Sequence, residues 1–149
     1  MPKPTKLLLT VAFAMSLLCL SSAVELRLFP SQPASRNPRY KKFTFSGIQV
    51  CYSFDSCYNN IAVSVDWMDA TRGYHFVFFE GSQCTGKALP VSNFVASGSV
   101  DFTKVDFANK LSSFMLAGAS NYAIHGLEDL CEDEDAILTE LASNISLET

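Results

Sequence analysis

The sequence predicts an all-β sandwich followed by a short C-terminal helical tail. Short segments of strand-forming residues recur through residues 43–118, and turns containing Gly81, Gly86 and Gly98 separate them. No part of this region repeats apolar residues at the helical period of 3.6 over a useful length. After it, an apolar helical face within residues 136–141 follows a run of acidic residues, which favours the start of a helix.

The strands of the core are predicted from alternating and aromatic-rich segments. In chain order they are Phe43 with Phe45, then 48–50, 61–67, 74–80, 87–91, 100–102 and 111–116. The clearest alternation places Ile61, Val63, Val65 and Trp67 on one face of a strand. The aromatic segment 74–80 (YHFVFFE) is typical of a strand that is buried on both faces.

Residues 1–23 have the layout of a secretory signal peptide. Lys3 and Lys6 form a positive start, residues 7–20 are an apolar run, and small residues precede Val24. The apolar run is short for a membrane span, so an uncleaved anchor is the disfavoured alternative. No later segment is apolar enough to cross a membrane, and we therefore expect a secreted, extracellular protein.

Composition divides the rest of the chain into three parts. Residues 24–42 hold three prolines and five basic residues against one acidic residue, which predicts a flexible basic leader, with an anionic-lipid-binding segment as the alternative. Residues 43–118 are the predicted sandwich. Residues 119–149 form an acidic tail that contains the predicted helix, and Asn144 begins an N-glycosylation sequon.

The charge of the secreted chain excludes one class of partner. Once Lys3 and Lys6 leave with the signal, nine basic and fifteen acidic residues remain, a net charge of −6. Proteins that bind nucleic acid need clustered Lys and Arg side chains, so nucleic acid is not the expected partner. We expect a monomer whose partner is an extracellular protein or surface, which the sequence does not identify.

Four cysteines remain after Cys19 is removed with the signal, and an even number in an oxidising compartment predicts disulfides. These candidates are Cys51, Cys57, Cys84 and Cys131. Three pairings are open. We favour Cys51–Cys57, closing a local hairpin, and Cys84–Cys131, tying the tail to the domain.

Two six-residue segments resemble the calcium-binding signature of βγ-crystallins, (Asn/Asp)-(Asn/Asp)-x-x-(Ser/Thr)-Ser. They are Asn59–Ser64 (NNIAVS) and Ala108–Ser113 (ANKLSS), and each departs from the signature at one position, Val63 in the first and Ala108 in the second. They begin 49 residues apart, about one Greek-key motif, as an internal duplication would give. The resemblance covers residues 43–118 and implies a sandwich of two Greek keys.

A hairpin between the two segments is also similar to the family. In Phe79–Lys87 (FEGSQCTGK), an aromatic residue is followed seven positions later by Gly86, which in this hairpin takes a positive φ. The spacing of Tyr52–Asn59 is similar, and we interpret this segment as a remnant of the corresponding hairpin in the first motif.

The resemblance implies a set of calcium ligands. Carried over to this chain, they are the main-chain carbonyls of Ile61 and Lys110, the Ser112 hydroxyl and an oxygen of Glu80. Val63 has no side-chain oxygen, so one of the two sites has lost a ligand. Any calcium binding is expected to be weak, with a Kd of roughly 10⁻⁴–10⁻³ M. The alternative is that these asparagines and serines only stabilise turns.

Catalysis is not expected. The chain has two histidines, His75 and His125, and it lacks Gly-x-Ser-x-Gly, His-Glu-x-x-His and Cys-x-x-Cys motifs. We assign no catalytic residue and no cofactor other than weakly bound Ca²⁺. The predicted function is that of a secreted, non-catalytic binding or structural module. The alternative is a toxin, effector or protease-inhibitor-like interaction protein on the same fold.

Overall fold

The structure of the protein is a computed structural model that describes residues 23–30, 39–54, 57–91, 95–118 and 120–131. The predicted signal peptide except for Ala23, the predicted C-terminal helix and the Asn144 sequon lie outside the described residues.

Nine strands, with two short 3₁₀ turns, make up the regular structure of the described residues. The strands are β1 (Val24–Phe29), β2 (Lys41–Phe45), β3 (Cys51–Ser53), β4 (Ser64–Met68), β5 (His75–Phe79), β6 (Ala88–Val91), β7 (Gly98–Asp101), β8 (Ser113–Ala117) and β9 (Leu127–Asp129). They form a four-stranded sheet of order β2-β1-β4-β7 and a five-stranded sheet of order β6-β5-β8-β3-β9. The predicted all-β sandwich is confirmed.

The first eight strands form two Greek keys that exchange one strand each. In the first key, β1, β2 and β4 share a sheet, while β3 crosses over to pair with β8 of the second key. In the second key, β5, β6 and β8 share the other sheet, while β7 crosses over to pair with β4. This exchange confirms the two-Greek-key arrangement that the βγ-crystallin resemblance implies.

The strand registers show how the two keys correspond. Phe29 at the end of β1 lies opposite Ser64, and Phe79 at the end of β5 lies opposite Ser113. Corresponding residues of the two keys are therefore 49 or 50 positions apart. Strand β9 has no counterpart in this scheme; it pairs in parallel with β3 at the edge of the five-stranded sheet.

Aromatic side chains from both sheets fill the interior. Trp67 on β4 lies 5.1 Å from Phe76 on β5, and Phe45 on β2 lies 4.9 Å from Phe114 on β8, measured between ring centroids. Such contacts give large apolar burial and fixed ring geometry. All four residues from Phe76 to Phe79 are buried, which confirms that β5 is covered on both faces.

The structure corrects the prediction of a flexible leader. Strand β1 lies between β2 and β4, and its Leu26 and Leu28 are fully buried. These two leucines alternate with the partly exposed Glu25 and Arg27, which is the period of a strand with one buried face. The prolines and basic residues that follow obscure this alternation in the composition of residues 24–42.

The limits of two other predicted parts also change. The folded unit does not end at residue 118, because residues 127–129 form β9 and Cys131 is buried. Strand β4 begins at Ser64 rather than at Ile61, which is 41% exposed.

The expected disulfide pairing is wrong. The bridges are Cys51–Cys84 and Cys57–Cys131. Cys51 begins the extended strand β3, so the chain carries Cys57 away from it instead of turning back at once. The hairpin that holds Cys84 packs against the sheet that contains β3, and the segment that holds Cys131 follows β9 beside that strand.

Candidate functional site

The two calcium-signature segments are hydrogen-bonded to each other. The second asparagine of each segment has a left-handed backbone, with φ of 57° at Asn60 and 56° at Asn109, a conformation that asparagine tolerates better than most residues. The backbone amide of Asn60 donates to the Leu111 carbonyl at 2.9 Å, and the backbone amide of Asn109 donates to the Ala62 carbonyl at 2.8 Å. These reciprocal bonds make the segments related corners of one duplicated unit.

Each segment also lies beside the end of the first strand of its own key. The Val63 amide donates to the Phe29 carbonyl at 2.8 Å, and the Ser112 amide donates to the Phe79 carbonyl at 3.0 Å. The fifth residue of each segment, Val63 or Ser112, therefore lies next to the residue that follows the hairpin's aromatic residue, Phe29 or Phe79. In the second key that residue is Glu80.

Three oxygens converge at the second key's corner. The Ser112 hydroxyl is 2.7 Å from the Glu80 carbonyl oxygen and 3.2 Å from Asn60 Oδ1. Ligands bound to one calcium ion at 2.3–2.6 Å are commonly about 3 Å from each other, so this spacing suits a calcium shell. The corner therefore unites two predicted ligands, Ser112 and Glu80, with the segment that carries Ile61.

Asn60 is the residue of this corner that sequence reasoning missed. It belongs to the first signature segment, but the resemblance assigns it no ligand; its side-chain oxygen nevertheless faces the Ser112 hydroxyl across the two keys. The ambiguity of asparagine, which serves both turns and oxygen coordination, hides this second role in the sequence.

The Lys110 side chain brings a positive charge to the same corner. Its Nζ lies 3.7 Å from Glu80 Oε1 and donates to the Asp106 carbonyl oxygen at 2.9 Å. It also contacts Asp106 Oδ1 at 3.2 Å, and this hydrogen bond and charge, with a smaller effect of Lys87, hold the pKa of Asp106 below its usual value. The ammonium group opposes the approach of a calcium ion to Glu80.

The other corner has fewer oxygens to offer. It would draw on the Lys110 carbonyl, the fifth position of the first segment and the residue after Phe29. Val63 and Pro30 occupy the last two positions, and neither has a side-chain oxygen. The asymmetry of the two signature segments thus becomes an asymmetry of the two corners.

The second hairpin has the predicted register. Gly86 has a φ of +76°, and a Cβ atom placed there would lie 3.1 Å from the Gly81 nitrogen. Ser113, the first residue of β8, attaches the folded hairpin to that strand. Its hydroxyl donates to the Gly81 carbonyl at 2.6 Å and accepts from the Cys84 backbone amide at 2.9 Å.

The corresponding hairpin of the first key is not Tyr52–Asn59. The strand registers equate Phe79 with Phe29, so the first hairpin begins at the end of β1. Tyr52 instead lies in β3, the strand that crosses to the other sheet. The similar spacing was a coincidence of an aromatic residue and a turn.

The histidines occupy separate structural positions. His75 Nε2 lies 3.1 Å from Asn121 Oδ1, and His125 Nδ1 lies 2.8 Å from the Ile48 carbonyl oxygen. Among the described residues, no three His, Cys, Asp or Glu side chains are grouped closely enough to hold a metal ion. A calcium ion at the corner would therefore depend on carbonyl, hydroxyl and amide oxygens beside the Glu80 carboxylate.

Comparison with known proteins gives one structural likeness. No protein-family model matches the chain, and no curated protein matches it. A solved structure described as "Evolution of the eye lens beta-gamma-crystallin domain fold" is 18% identical, with a TM-score of 0.43, over 64% of this chain and 87% of that chain. The described part of this chain has no helix long and apolar enough to span a membrane. The described strands form a sandwich of two Greek keys, which is the fold that the resemblance to βγ-crystallins implies.

Proposed function

We propose that this protein is a secreted, non-catalytic βγ-crystallin-like binding or structural module with one weak calcium site. The observation that supports the site is the convergence of the Ser112 hydroxyl, the Glu80 carbonyl and Asn60 Oδ1 between the two keys. Two disulfides that link distant parts of the described chain suit an oxidising, extracellular location.

Two features argue for low affinity. The Lys110 ammonium lies 3.7 Å from Glu80 Oε1, so it either repels the incoming ion or has to move away. The first key's corner has Val63 in place of a hydroxyl ligand, so it offers no second calcium site to support the first. Calcium sites of extracellular modules reach Kd values of roughly 10⁻⁴–10⁻³ M, and we place this corner at the weak end of that range. The Ser112 hydroxyl donates a hydrogen bond to the Glu80 carbonyl, which a calcium ion bound to both oxygens would have to replace.

Thermal unfolding with and without calcium tests this proposal. At a Kd of about 1 mM, 10 mM CaCl₂ should stabilise the folded state by about 1.4 kcal/mol over a chelator-treated sample. For a domain of this size, that corresponds to a rise in Tm of roughly 3–6 °C. Equal MgCl₂ should give a smaller rise, because Mg²⁺ demands a tighter octahedral shell.

Three variants locate the effect. Ser112→Ala should abolish the calcium-dependent rise in Tm, whereas Ser64→Ala should keep it. Ser64 is a suitable control because it is a buried serine at the start of β4 in the other key, and its hydroxyl has no hydrogen-bond partner among the described residues. Lys110→Gln should increase the rise, since it removes the competing charge. A full calcium response in Ser112→Ala, or sub-micromolar binding by calorimetry, would contradict the proposed site.

A further inference from the structure

Residues 120–131, which we name the C-terminal arm, lie outside the two Greek keys but are firmly attached to them. Gln49 is the main anchor: it is 6% exposed, and its Nε2 donates to the Tyr122 carbonyl at 2.6 Å. Its own carbonyl accepts from the amides of Ile124 and His125, both at 3.0 Å. One buried side chain and its backbone thus hold the first half of the arm.

The second half of the arm has its own attachments. The Cys51 amide donates to the Gly126 carbonyl at 3.0 Å, and β9 continues this contact by pairing with β3. The Cys57–Cys131 disulfide then fixes the end of the arm to the first key. An exposed segment that is tied at both ends to a rigid scaffold is preorganised, which lowers the entropy lost on binding.

The arm turns large apolar side chains outward. Tyr122 is 79% exposed, Ile124 is 67% exposed and Leu127 is 53% exposed. Their backbones are all attached to residues 49–51, so the three side chains lie along one short stretch of chain, at most about 17 Å long. Single exposed apolar residues are ordinary, but a fixed group of three indicates a contact surface.

The charge around this surface narrows the choice of partner. The arm has no lysine or arginine, and its two acidic residues are Glu128 and Asp129. Residues 24–110, by contrast, have nine basic and seven acidic residues. A second copy meeting through the same face would bring like charges together, and an anionic membrane would repel this region.

We propose that the C-terminal arm is a docking surface for a cationic amphipathic segment of a partner protein. The partner's apolar face covers Tyr122, Ile124 and Leu127, and its lysines or arginines lie against Glu128 and Asp129. This surface is separate from the calcium corner, and the inference does not rest on calcium binding.

A defined peptide tests the inference on the full secreted chain. The probe is a fluorescein-labelled, helical Leu/Lys peptide of about 14 residues, which spans roughly 21 Å, and a Leu/Glu peptide of equal length is its charge control. We expect saturable binding of the Leu/Lys peptide by fluorescence anisotropy at 150 mM NaCl and none of the Leu/Glu peptide. Because the net charge of the chain alone would attract a cationic peptide, the decisive comparison is between variants of equal charge.

The triple variant Tyr122→Ser, Ile124→Ser, Leu127→Ser should weaken peptide binding at least tenfold at unchanged net charge. Its matched control is Val95→Ser with Val105→Ser, which changes apolar residues that are 50% and 43% exposed and lie outside the arm and the calcium corner; it should bind like the parent chain. Thermal melts of both variants should match that of the parent, because the substituted side chains are exposed.

Three results would overturn the inference. Undiminished peptide binding by the triple variant would show that the net negative charge of the chain alone attracts the peptide. Stronger binding to phosphatidylcholine–phosphatidylserine vesicles than to the peptide would assign the arm to lipid. A dimer in light scattering that the triple variant abolishes would assign it to a second copy of this chain.

Discussion

Individual left-handed residues shape the turns that close the hairpin and the two corners. Asn60 and Asn109 take this backbone at the corners, and Gly86 takes it in the folded hairpin beside Glu80. Asparagine suffices at the corners because it tolerates this backbone, whereas a Cβ atom at Gly86 would also lie 3.1 Å from the Gly81 nitrogen, a tight contact.

Gly86→Ala should therefore destabilise the fold more than Gly73→Ala does. Both glycines have positive φ, +76° and +88°, and alanine in such a conformation costs about 1 kcal/mol or more. An added Cβ at Gly86 also meets the Gly81 nitrogen at 3.1 Å, while at Gly73 nothing lies within 4 Å. We expect losses of about 1 kcal/mol for Gly73→Ala and about 2 kcal/mol for Gly86→Ala in urea unfolding. Equal losses would show that crowding at the hairpin is relieved at no cost.

Strand β1 is the element on which the four-stranded sheet depends. It pairs with β2 and β4, and Leu26 on it is fully buried. Leu26→Ala should lower the free energy of unfolding by about 2–5 kcal/mol, the usual range for a buried leucine. Leu127→Ala on the exposed edge strand β9 is the same chemical change and should alter it by less than about 0.5 kcal/mol. A neutral Leu26→Ala would restore the interpretation of residues 24–42 as a leader.

Features that are defined by neighbouring residues could be predicted from the sequence, whereas features that depend on distant segments or on a misleading local composition could not. Strand β5 was predicted because its own aromatic residues indicate burial on both faces. Strand β1 was missed because its two buried leucines alternate with charged residues, and the basic, proline-rich stretch after it dominates the composition. The second signature segment identified Ser112 and the hairpin identified Glu80, but the approach of Asn60 and of the Lys110 ammonium depends on how distant turns pack.

At the scale of the whole molecule, the disulfides join parts that lie far apart in the sequence. Cys51–Cys84 links the crossing strand of the first key to the hairpin of the second, across 33 residues. Cys57–Cys131 links the first key to the C-terminal arm, across 74 residues. Pairing could not be read from spacing, because it follows from the strand exchange that places β3 in the second sheet.

Removing either disulfide should lower the free energy of unfolding by a similar amount, but it should loosen a different part of the molecule. In the chain-entropy description, loops of these lengths give roughly 4 kcal/mol per bridge, so the variants Cys57→Ser with Cys131→Ser and Cys51→Ser with Cys84→Ser serve as controls for each other. Without Cys57–Cys131, amide hydrogen exchange should accelerate in the arm and β9 while β1, β4, β5 and β8 stay protected, since β9 lies at a sheet edge. Without Cys51–Cys84, the acceleration should instead centre on the hairpin between β5 and β6. Loss of protection throughout both sheets in the first variant would mean that the arm is part of the cooperative core, and it would then be a structural clamp rather than an attached surface.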